Sequence, residues 1–314
     1  AFRRLPGSLA VTTLVICTFW GIASGLVGAV VVLMGVIAMR PMLNAGYDTR
    51  LAAGVITAGG TLGILIPPSV PLVIYAILTE QNIAKLFAAA MIPGIIAMFG
   101  YMIAIAIYVR LVPGQAPEVD DNPAHLTFSA VLGVTPMLAI FLIVFGGIYG
   151  GFFTPTEGAG VGAAATFVAA LLKGEIDWGK FKNCFYATAE SSAMIFLIFI
   201  GADMMNSALA LTQVPNQLAG VVNGWGLSPL MVVVAILVFY VILGAVMDEL
   251  SMILLTIPIF FPMVMGLDFG MPKESVAIWF GIMVLMVVEF GLLAPPVGLN
   301  VYVVNGMAKN VPIS

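Results

Sequence analysis

The feature that most constrains this chain is an apolar run, residues 51–78, whose centre is built from residues that interrupt helices. The run is long enough to span a bilayer, since about 20 helical residues cross ~30 Å of hydrocarbon. Pro67, Pro68 and Pro71 each lack an N–H and disfavour helix in the preceding residue. We therefore predict two half-helices joined by an unwound segment near mid-membrane, with a simple proline kink as the alternative.

An unwound segment in hydrocarbon leaves backbone carbonyl oxygens without partners, which is unfavourable unless something binds them. A small cation is the natural ligand. A second stretch has the same design, because residues 291–296 share the pattern Gly-x-Leu-x-Pro-Pro with residues 63–68 and lie in the apolar run 276–304. Two interrupted spans in corresponding places are the best sequence pointer to the midplane site of a secondary transporter.

Composition places the chain in the membrane. Of its 314 residues 62% are hydrophobic and 8% are charged, so we predict an all-α polytopic membrane protein. The chain has no basic tract, and nucleic-acid binding is not supported. The widely separated Cys17 and Cys184 indicate neither a disulfide nor a metal site, and His125 is expected to be solvated in a loop. Because the chain begins at Ala1 rather than Met, we expect a fragment that lacks both ends.

Two further long apolar runs, residues 8–39 and 229–266, have unusual centres: Ser24 and Gly25 in the first, Asp248 and Ser251 in the second. We interpret each as a re-entrant hairpin of two short helices, which is allowed only inside protein or against a wet cavity. For the first run a single tilted span is the alternative. Hairpin, connector and broken span then occur twice, in residues 1–83 and 229–314, and residues 84–228 form scaffold and connecting spans.

In the connecting region we predict spans at 84–111, 126–149, 158–172 and 185–211, with a basic loop at 173–182. If the first hairpin enters from the cytoplasm, nine basic residues fall inside and two, Lys85 and Lys273, fall outside, which is a strong positive-inside bias. The same count makes the second hairpin enter from the opposite side, so the repeats are inverted. The nine are Arg3, Arg4, Arg40, Arg50, Arg110, Lys173, Lys180, Lys182 and Lys309.

In this topology the two hairpin tips and the two unwound segments converge. Unwound carbonyls and hydroxyls suit a hard cation, and the N-termini of half-helices suit a carboxylate. The candidate cation ligands are Ser24, Gly25, Thr61, Gly63, Ile66, Pro68, Asp248, Gly291, Ala294 and Pro296. The candidate substrate-binding residues are Ser24, Ser69, Asp248, Ser251 and Asn300.

Four acidic residues need separate interpretation. Asp248 is the sharpest candidate, because a carboxylate at the centre of a membrane helix costs at least about 2.5–3.5 kcal/mol and persists only with a partner. The alternative for Asp248 is a helix cap. For Glu289 we weigh a role in orienting the break or binding a proton equally against an interhelical hydrogen bond. We expect Glu157 to form a capping box with Thr154, and Asp203 to hydrogen-bond between helices.

Enzyme classes are poorly supported, and we predict that the chain is not an enzyme. A serine protease built on Ser24 needs a membrane-embedded histidine, whereas His125 lies in a loop. An aspartyl protease built on Asp48 lacks a second aspartate in a Gly-x-Gly-Asp setting. Glycine-rich phosphate loops and metal motifs are also missing, so no organic cofactor is expected. Paired inverted breaks are not what a channel filter requires.

Four stretches together resemble the large membrane subunit of TRAP (tripartite ATP-independent periplasmic) transporters. They are YDTRLAAG at 47–54, GGTLGILIPPS at 59–69, FTPTE at 153–157 and EFGLLAPPVGLN at 289–300. The match runs through nearly the whole chain. It implies the ion transporter superfamily fold and an elevator mechanism, in which hairpins and broken spans slide against a scaffold.

The resemblance further implies sodium-coupled import of an organic acid by a multi-pass protein of the bacterial inner membrane. It implies two partners, a small membrane subunit and a periplasmic substrate-binding protein. Ser24, Ser69, Asp248 and Glu157 occupy motif positions that look functional in the family. Residues 26–29 depart from it, because many members have further Ser or Thr there, and this favours simple carboxylates. The alternative is a binding-protein-independent dicarboxylate symporter or ion antiporter of the same superfamily.

Overall fold

The computed structural model describes residues 7–117, 128–212, 217, 220, 226–295 and 298–307. Of the residues named above, Ala1, Arg3, Arg4, His125, Pro296 and Lys309 lie outside this part of the chain. Regular structure within the described residues is helical throughout. The helices are α1 (Ser8–Ser24), α2 (Val27–Asn44), α3 (Thr49–Leu65), α4 (Val70–Thr79), α5 (Ile83–Leu111), α6 (Phe128–Tyr149), α7 (Pro155–Leu172), α8 (Trp178–Thr212), α9 (Pro229–Gly244), α10 (Glu249–Met265), α11 (Lys273–Leu293) and α12 (Leu299–Met307).

Several of these helices can cross a bilayer. Among the described residues, six stretches are long and apolar enough to do so: Val27–Asn44, Thr49–Thr79, Ile83–Leu111, Pro155–Leu172, Trp178–Met205 and Lys273–Leu293. The shorter helices α9 and α10 are apolar as well. The prediction of an all-helical, polytopic membrane protein is therefore confirmed.

The helices form two compact units. One contains α6, α7 and α8 as far as Gly201, and the other contains α1–α5, the end of α8 and α9–α12. In the second unit α3 is the most enclosed element, since residues such as Leu62 and Ile64 have no exposed surface. Within this unit, α1–α4 are called the first half and α9–α12 the second half.

In the first half, both helix pairs are separated by short breaks. Only Gly25 and Leu26 lie between α1 and α2, and Gly25 adopts a left-handed backbone (φ 64°), which glycine reaches without a steric penalty. Residues 66–69 separate α3 from α4, because Pro67 and Pro68 cannot donate helical hydrogen bonds. Ser69 then caps α4 by accepting from the Leu72 N–H (3.3 Å). The interruption lies at the prolines from which it was predicted.

The second half has the same order of elements. Helix α9 ends at Gly244, and α10 begins at Glu249 with Asp248 as its N-cap. Helix α11 ends at Leu293 and α12 begins at Leu299, so Pro295 lies between two helices. Each half therefore consists of a helix pair joined at a short tip, followed by two helices separated at a proline-containing break.

Two helix boundaries differ most from the sequence-based prediction. Helix α2 runs to Asn44 instead of ending at residue 39, and its last turn contains Pro41. Helix α8 begins at Trp178, so the predicted loop 173–182 is wrong from that residue onwards. There Asp177 accepts from the Lys180 N–H (2.7 Å), which is the hydrogen bond of a helix N-cap.

The two halves pack with a reciprocal pattern. The first helix of each pair contacts the first broken helix of its own half, α1 with α3 and α9 with α11. The second helix of each pair contacts the last helix of the other half, α2 with α12 and α10 with α4. Glycines permit the first kind of contact: a Cβ at Gly21 would lie 2.7 Å from the Gly63 Cα, and a Cβ at Gly291 would lie 2.7 Å from the Gly244 Cα.

The smaller unit carries the predicted capping box at the start of α7. The Glu157 carboxylate accepts from the Thr154 N–H (2.8 Å), and the Thr154 hydroxyl oxygen accepts from the Glu157 N–H (3.3 Å). This reciprocal pair satisfies two backbone donors that a helix start leaves open, so the interpretation of Glu157 as a capping residue is confirmed.

Candidate functional site

The first tip and the first break are in direct contact. The Val70 N–H donates to the Gly25 carbonyl (3.4 Å), and a Cβ at Gly25 would lie 3.2 Å from the Pro68 carbonyl oxygen. The Ser24 hydroxyl is beside them and interacts with the Leu26 backbone (3.2 Å to its carbonyl oxygen). Only a residue without a side chain allows the tip to approach the break this closely. The structure thus brings together Ser24, Gly25, Pro68 and the start of α4.

The residues of the first break are enclosed by protein. Thr61, Gly63 and Ile66 are buried, and Ser69 is 1% exposed. Gly94 of α5 packs against this break, because a Cβ there would lie 2.7 Å from an Ile66 side-chain carbon. Buried backbone at a helix break must find polar partners within the protein or bind a ligand. This is the physical setting in which main-chain oxygens can coordinate an ion.

Asp248 acts as a helix cap, which was the alternative interpretation of this residue. Its Oδ1 accepts from the Leu250 N–H (3.1 Å) and the Ser251 N–H (3.0 Å). Ser251 therefore contributes its backbone amide to the tip. Both hydrogen bonds use the same carboxylate oxygen, so the cap and a role for Oδ2 in ligand binding are compatible.

Glu249 is a residue of the site that sequence reasoning did not single out. Its side chain is only 7% exposed, although it is an acid at the start of α10. Its carboxyl group lies beside the backbone N–H of Val27, the first residue of α2. The second tip therefore touches the helix that follows the first tip. The adjacent Asp248–Glu249 pair was the available signal, but the sequence does not indicate which carboxyl turns inward.

This contact gives the site its electrostatic character. The N-termini of α2 and α10 meet at Glu249, and α4 begins beside the first tip, where the Val70 N–H donates to the Gly25 carbonyl. Helix N-termini carry partial positive charge and exposed N–H donors, so such a meeting point favours an anion.

Beside Ser24, an apolar groove of about 590 Å³ runs along α1 and α2 and is lined by Trp20, Gly28 and Val36.

Ala294 lies at the second break, Gly291 in α11 just before it and Asn300 in α12 just after it. Gly291 is pressed against Gly244, and the Ala294 N–H donates to the Gly291 carbonyl (3.0 Å). Asn300 is 1% exposed, and its Nδ2 has no hydrogen-bond partner in the described part of the chain. Helix α12, which carries Asn300, packs against α2 and α3 of the first half. The last predicted ligand, Pro296, lies outside the described residues.

The remaining acidic candidates are placed differently. The Glu289 carboxyl group is 3% exposed and lies beside the Thr61 hydroxyl and the Leu65 backbone of α3. Asp203 is exposed, and Glu157 is used by the capping box. Among the described residues, no group of three His, Cys, Asp or Glu side chains is positioned to hold a metal ion.

Comparison with known proteins points to one family. The family model described as "Tripartite ATP-independent periplasmic transporter, DctM component" matches residues 1–314. The C4-dicarboxylate TRAP transporter large permease protein DctM of Pseudomonas aeruginosa is 34% identical over 308 residues, covering 97% of this chain and 70% of that protein. The Ectoine TRAP transporter large permease protein TeaC of Halomonas elongata is 30% identical, covering 98% and 70%. The Isethionate TRAP transporter permease protein DctMQ of Oleidesulfovibrio alaskensis is 30% identical, covering 97% and 47%.

Proposed function

Because this chain belongs to the DctM family of tripartite ATP-independent periplasmic transporters, we propose that it imports a small organic acid through the inner membrane, driven by sodium. Like its relatives, it is a multi-pass permease of the inner membrane, and it is not an enzyme. The single observation that carries the proposal is the contact of both hairpin tips beside a buried helix break, with the N-termini of α2 and α10 meeting at Glu249.

The charge pattern of this region supports an organic acid as the substrate. Helices α2, α4 and α10 all begin in this region, and the partial positive charge of their N-termini favours a carboxylate. The Val27 N–H lies beside Glu249, and the Leu250 and Ser251 N–H groups donate to Asp248, so this partial charge is what remains for a substrate. Relatives are named for C4-dicarboxylates, isethionate and ectoine, all of them small acids or zwitterions. The proposed substrate contacts are Ser24, Ser69, Asp248, Ser251 and Asn300.

Sodium binding is proposed at the two breaks. The ligands would be carbonyl and hydroxyl oxygens, because hard cations prefer oxygen and the helix breaks are where the backbone departs from its own hydrogen bonding. The proposed ligands in the first half are Ser24, Gly25, Thr61, Gly63, Ile66 and Pro68. Those in the second half are Asp248, Gly291, Ala294 and Pro296. No organic cofactor is proposed.

We further propose that the two halves are inverted repeats and that the permease works by an elevator mechanism. The reciprocal contacts of the two halves and their matched glycine pairs, Gly21 with Gly63 and Gly244 with Gly291, are what two related repeats are expected to form. Residues 1–83 and 229–314 would move together as the transport domain, against a scaffold within 84–228. A small membrane subunit would support the scaffold, and a periplasmic binding protein would deliver the acid.

The proposal is tested by transport in reconstituted vesicles. The permease is reconstituted with the small subunit, and uptake of C4-dicarboxylates, isethionate and ectoine is measured with the binding protein outside. We expect uptake only with an inward sodium gradient, and increased uptake with an inward-negative potential if more than one sodium ion enters per monoanion. Equal uptake when choline replaces sodium would contradict the proposal. Equal uptake without the binding protein would favour the binding-protein-independent symporter.

Replacing Ser69 with alanine is expected to remove most of this uptake. Ser69 is buried and caps α4, so the loss of its hydroxyl should also cost about 1 kcal/mol of stability. Ser69→Thr, which keeps a capping hydroxyl but adds a methyl group, is the matched variant and should retain the cap. Uptake and thermal unfolding are measured on the same preparations. Wild-type uptake by Ser69→Ala would remove Ser69 from the proposed site.

A further inference from the structure

Glu289 is a buried acid for which the proposed site has no role. It lies near the end of α11 and is 3% exposed. Its carboxyl group is beside the Thr61 hydroxyl and the Leu65 backbone of α3, and it interacts with Tyr101 of α5. One carboxyl oxygen, Oε1, is buried without a hydrogen-bond partner among the described residues. Leaving a buried polar oxygen unpartnered is costly, so a ligand at Oε1 is expected.

The neighbouring oxygens have their lone pairs available. The Thr61 hydroxyl donates its proton to the Ala58 carbonyl (2.8 Å), so its oxygen can accept or coordinate. The Tyr101 hydroxyl lies 3.5 Å from the Thr61 oxygen. The Thr61 hydroxyl of α3 therefore lies beside both the Glu289 carboxyl group of α11 and the Tyr101 hydroxyl of α5. Hard cations bind such oxygens and complete their shells with water or carbonyl oxygens.

The need for a positive charge also follows from the charges around Glu289. In its ionised form, the Glu289 carboxylate requires a compensating partner in the membrane interior. Within the described residues Glu289 forms no ion pair. The ion pair that α11 does form there joins Glu274 to Lys85 (2.5 Å). The other ionisable groups on helices packed against α11 are engaged or located elsewhere. Tyr75 donates to the Ala277 carbonyl, Tyr240 contacts Thr256 and Glu249 lies beside Val27. Arg50 lies in the first turn of α3, and Tyr108, Arg110 and Tyr302 are exposed.

We propose that the carboxyl group of Glu289 is a ligand of a further monovalent-cation site, completed by the hydroxyl oxygens of Thr61 and Tyr101. Thr61 is then shared between this site and the sodium site proposed in the first half. The site joins α11 of the second half to α3 of the first, just before the break in each helix. A cation bound there holds the two broken helices together while it compensates the buried charge. The inference rests on the proposed sodium coupling, which makes sodium the cation. Its test is a binding measurement that needs no transport.

The test measures sodium-dependent stability of detergent-purified protein. Thermal unfolding is followed as sodium replaces choline at constant ionic strength, for wild type, Glu289→Gln and Glu274→Gln. The slope of stability against the logarithm of sodium concentration counts the ions bound on folding. We expect Glu289→Gln to bind about one ion fewer than wild type. Glu274→Gln, on the same helix but exposed, should keep the wild-type slope.

A carboxylate of different length provides a second variant if Glu289→Gln does not fold. Glu289→Asp keeps the carboxyl group but moves it away from Thr61. The slope of its stability against the logarithm of sodium concentration should match wild type, but the sodium concentration at the midpoint of this dependence should be about tenfold higher or more. Equal slopes and equal midpoints for wild type and both Glu289 variants would overturn the inference, as a permanently protonated Glu289 predicts. That result would leave sodium-driven uptake intact, so the two proposals fail separately.

Discussion

Replacing Asp248 with asparagine is expected to abolish sodium-driven uptake while leaving the permease folded in the membrane. Asp248 has two roles that this substitution separates. As the N-cap of α10 it accepts from the Leu250 and Ser251 N–H groups, and asparagine caps a helix about as well as aspartate does. As a proposed cation and substrate contact it supplies negative charge at the tip, which asparagine lacks.

The alanine variant provides the comparison. Asp248→Ala loses both the charge and the cap, so it should be as inactive as Asp248→Asn and less stable by about 1 kcal/mol. Uptake is measured in vesicles, and stability by thermal unfolding in detergent. If Asp248→Asn transports like wild type and only Asp248→Ala fails, then Asp248 is a structural cap and its place in the proposed site is lost.

The second large effect is expected at the glycine contacts inside each half. A methyl group at Gly21 would lie 2.7 Å from the Gly63 Cα, and one at Gly291 would lie 2.7 Å from the Gly244 Cα. In both cases the obstructing atom belongs to the backbone, so no side chain can rotate away. Gly21→Ala and Gly291→Ala should each destabilise the protein by about 2–3 kcal/mol, at the upper end of overpacking.

A matched control is available on neighbouring helices of the first half. A methyl group added at Gly54 of α3 or at Gly28 of α2 would meet no atom within 4 Å, so alanine at either site should be neutral or stabilise by up to about 1 kcal/mol through helix propensity. The comparison is made by thermal unfolding and by the yield of monodisperse protein. Equal stability of Gly21→Ala and Gly54→Ala would mean that α1 and α3 do not approach as closely as described.

Much of the helical framework could be predicted because it depends on local chemistry. Prolines remove backbone donors wherever they occur, so Pro67 and Pro68 specify a break at residues 66–69 without reference to any neighbour. The tip at Gly25 follows in the same way, from a residue that tolerates a left-handed backbone. The capping box of Thr154 and Glu157 spans four residues and is equally local.

The features that sequence reasoning missed depend on contacts between distant residues. Gly21 and Gly63 belong to separate helices, and neither stretch of sequence indicates that the two glycines are in contact. The inward orientation of Glu249 depends on the position of α2, whose first N–H lies beside its carboxyl group. The start of α8 was missed for a different reason: Asp177 is a local capping signal, but the neighbouring lysines favoured a loop.

The central claim is that the interrupted helices bind the coupling ion. The most direct test is a density map of the permease in lipid, at a resolution that shows bound ions, determined once in sodium and once in choline. We predict helices interrupted at residues 66–69 and near Pro295, with density among the proposed oxygen ligands that is present only in sodium. Continuous helices through Pro67 and Pro295, or identical maps in the two salts, would contradict the claim.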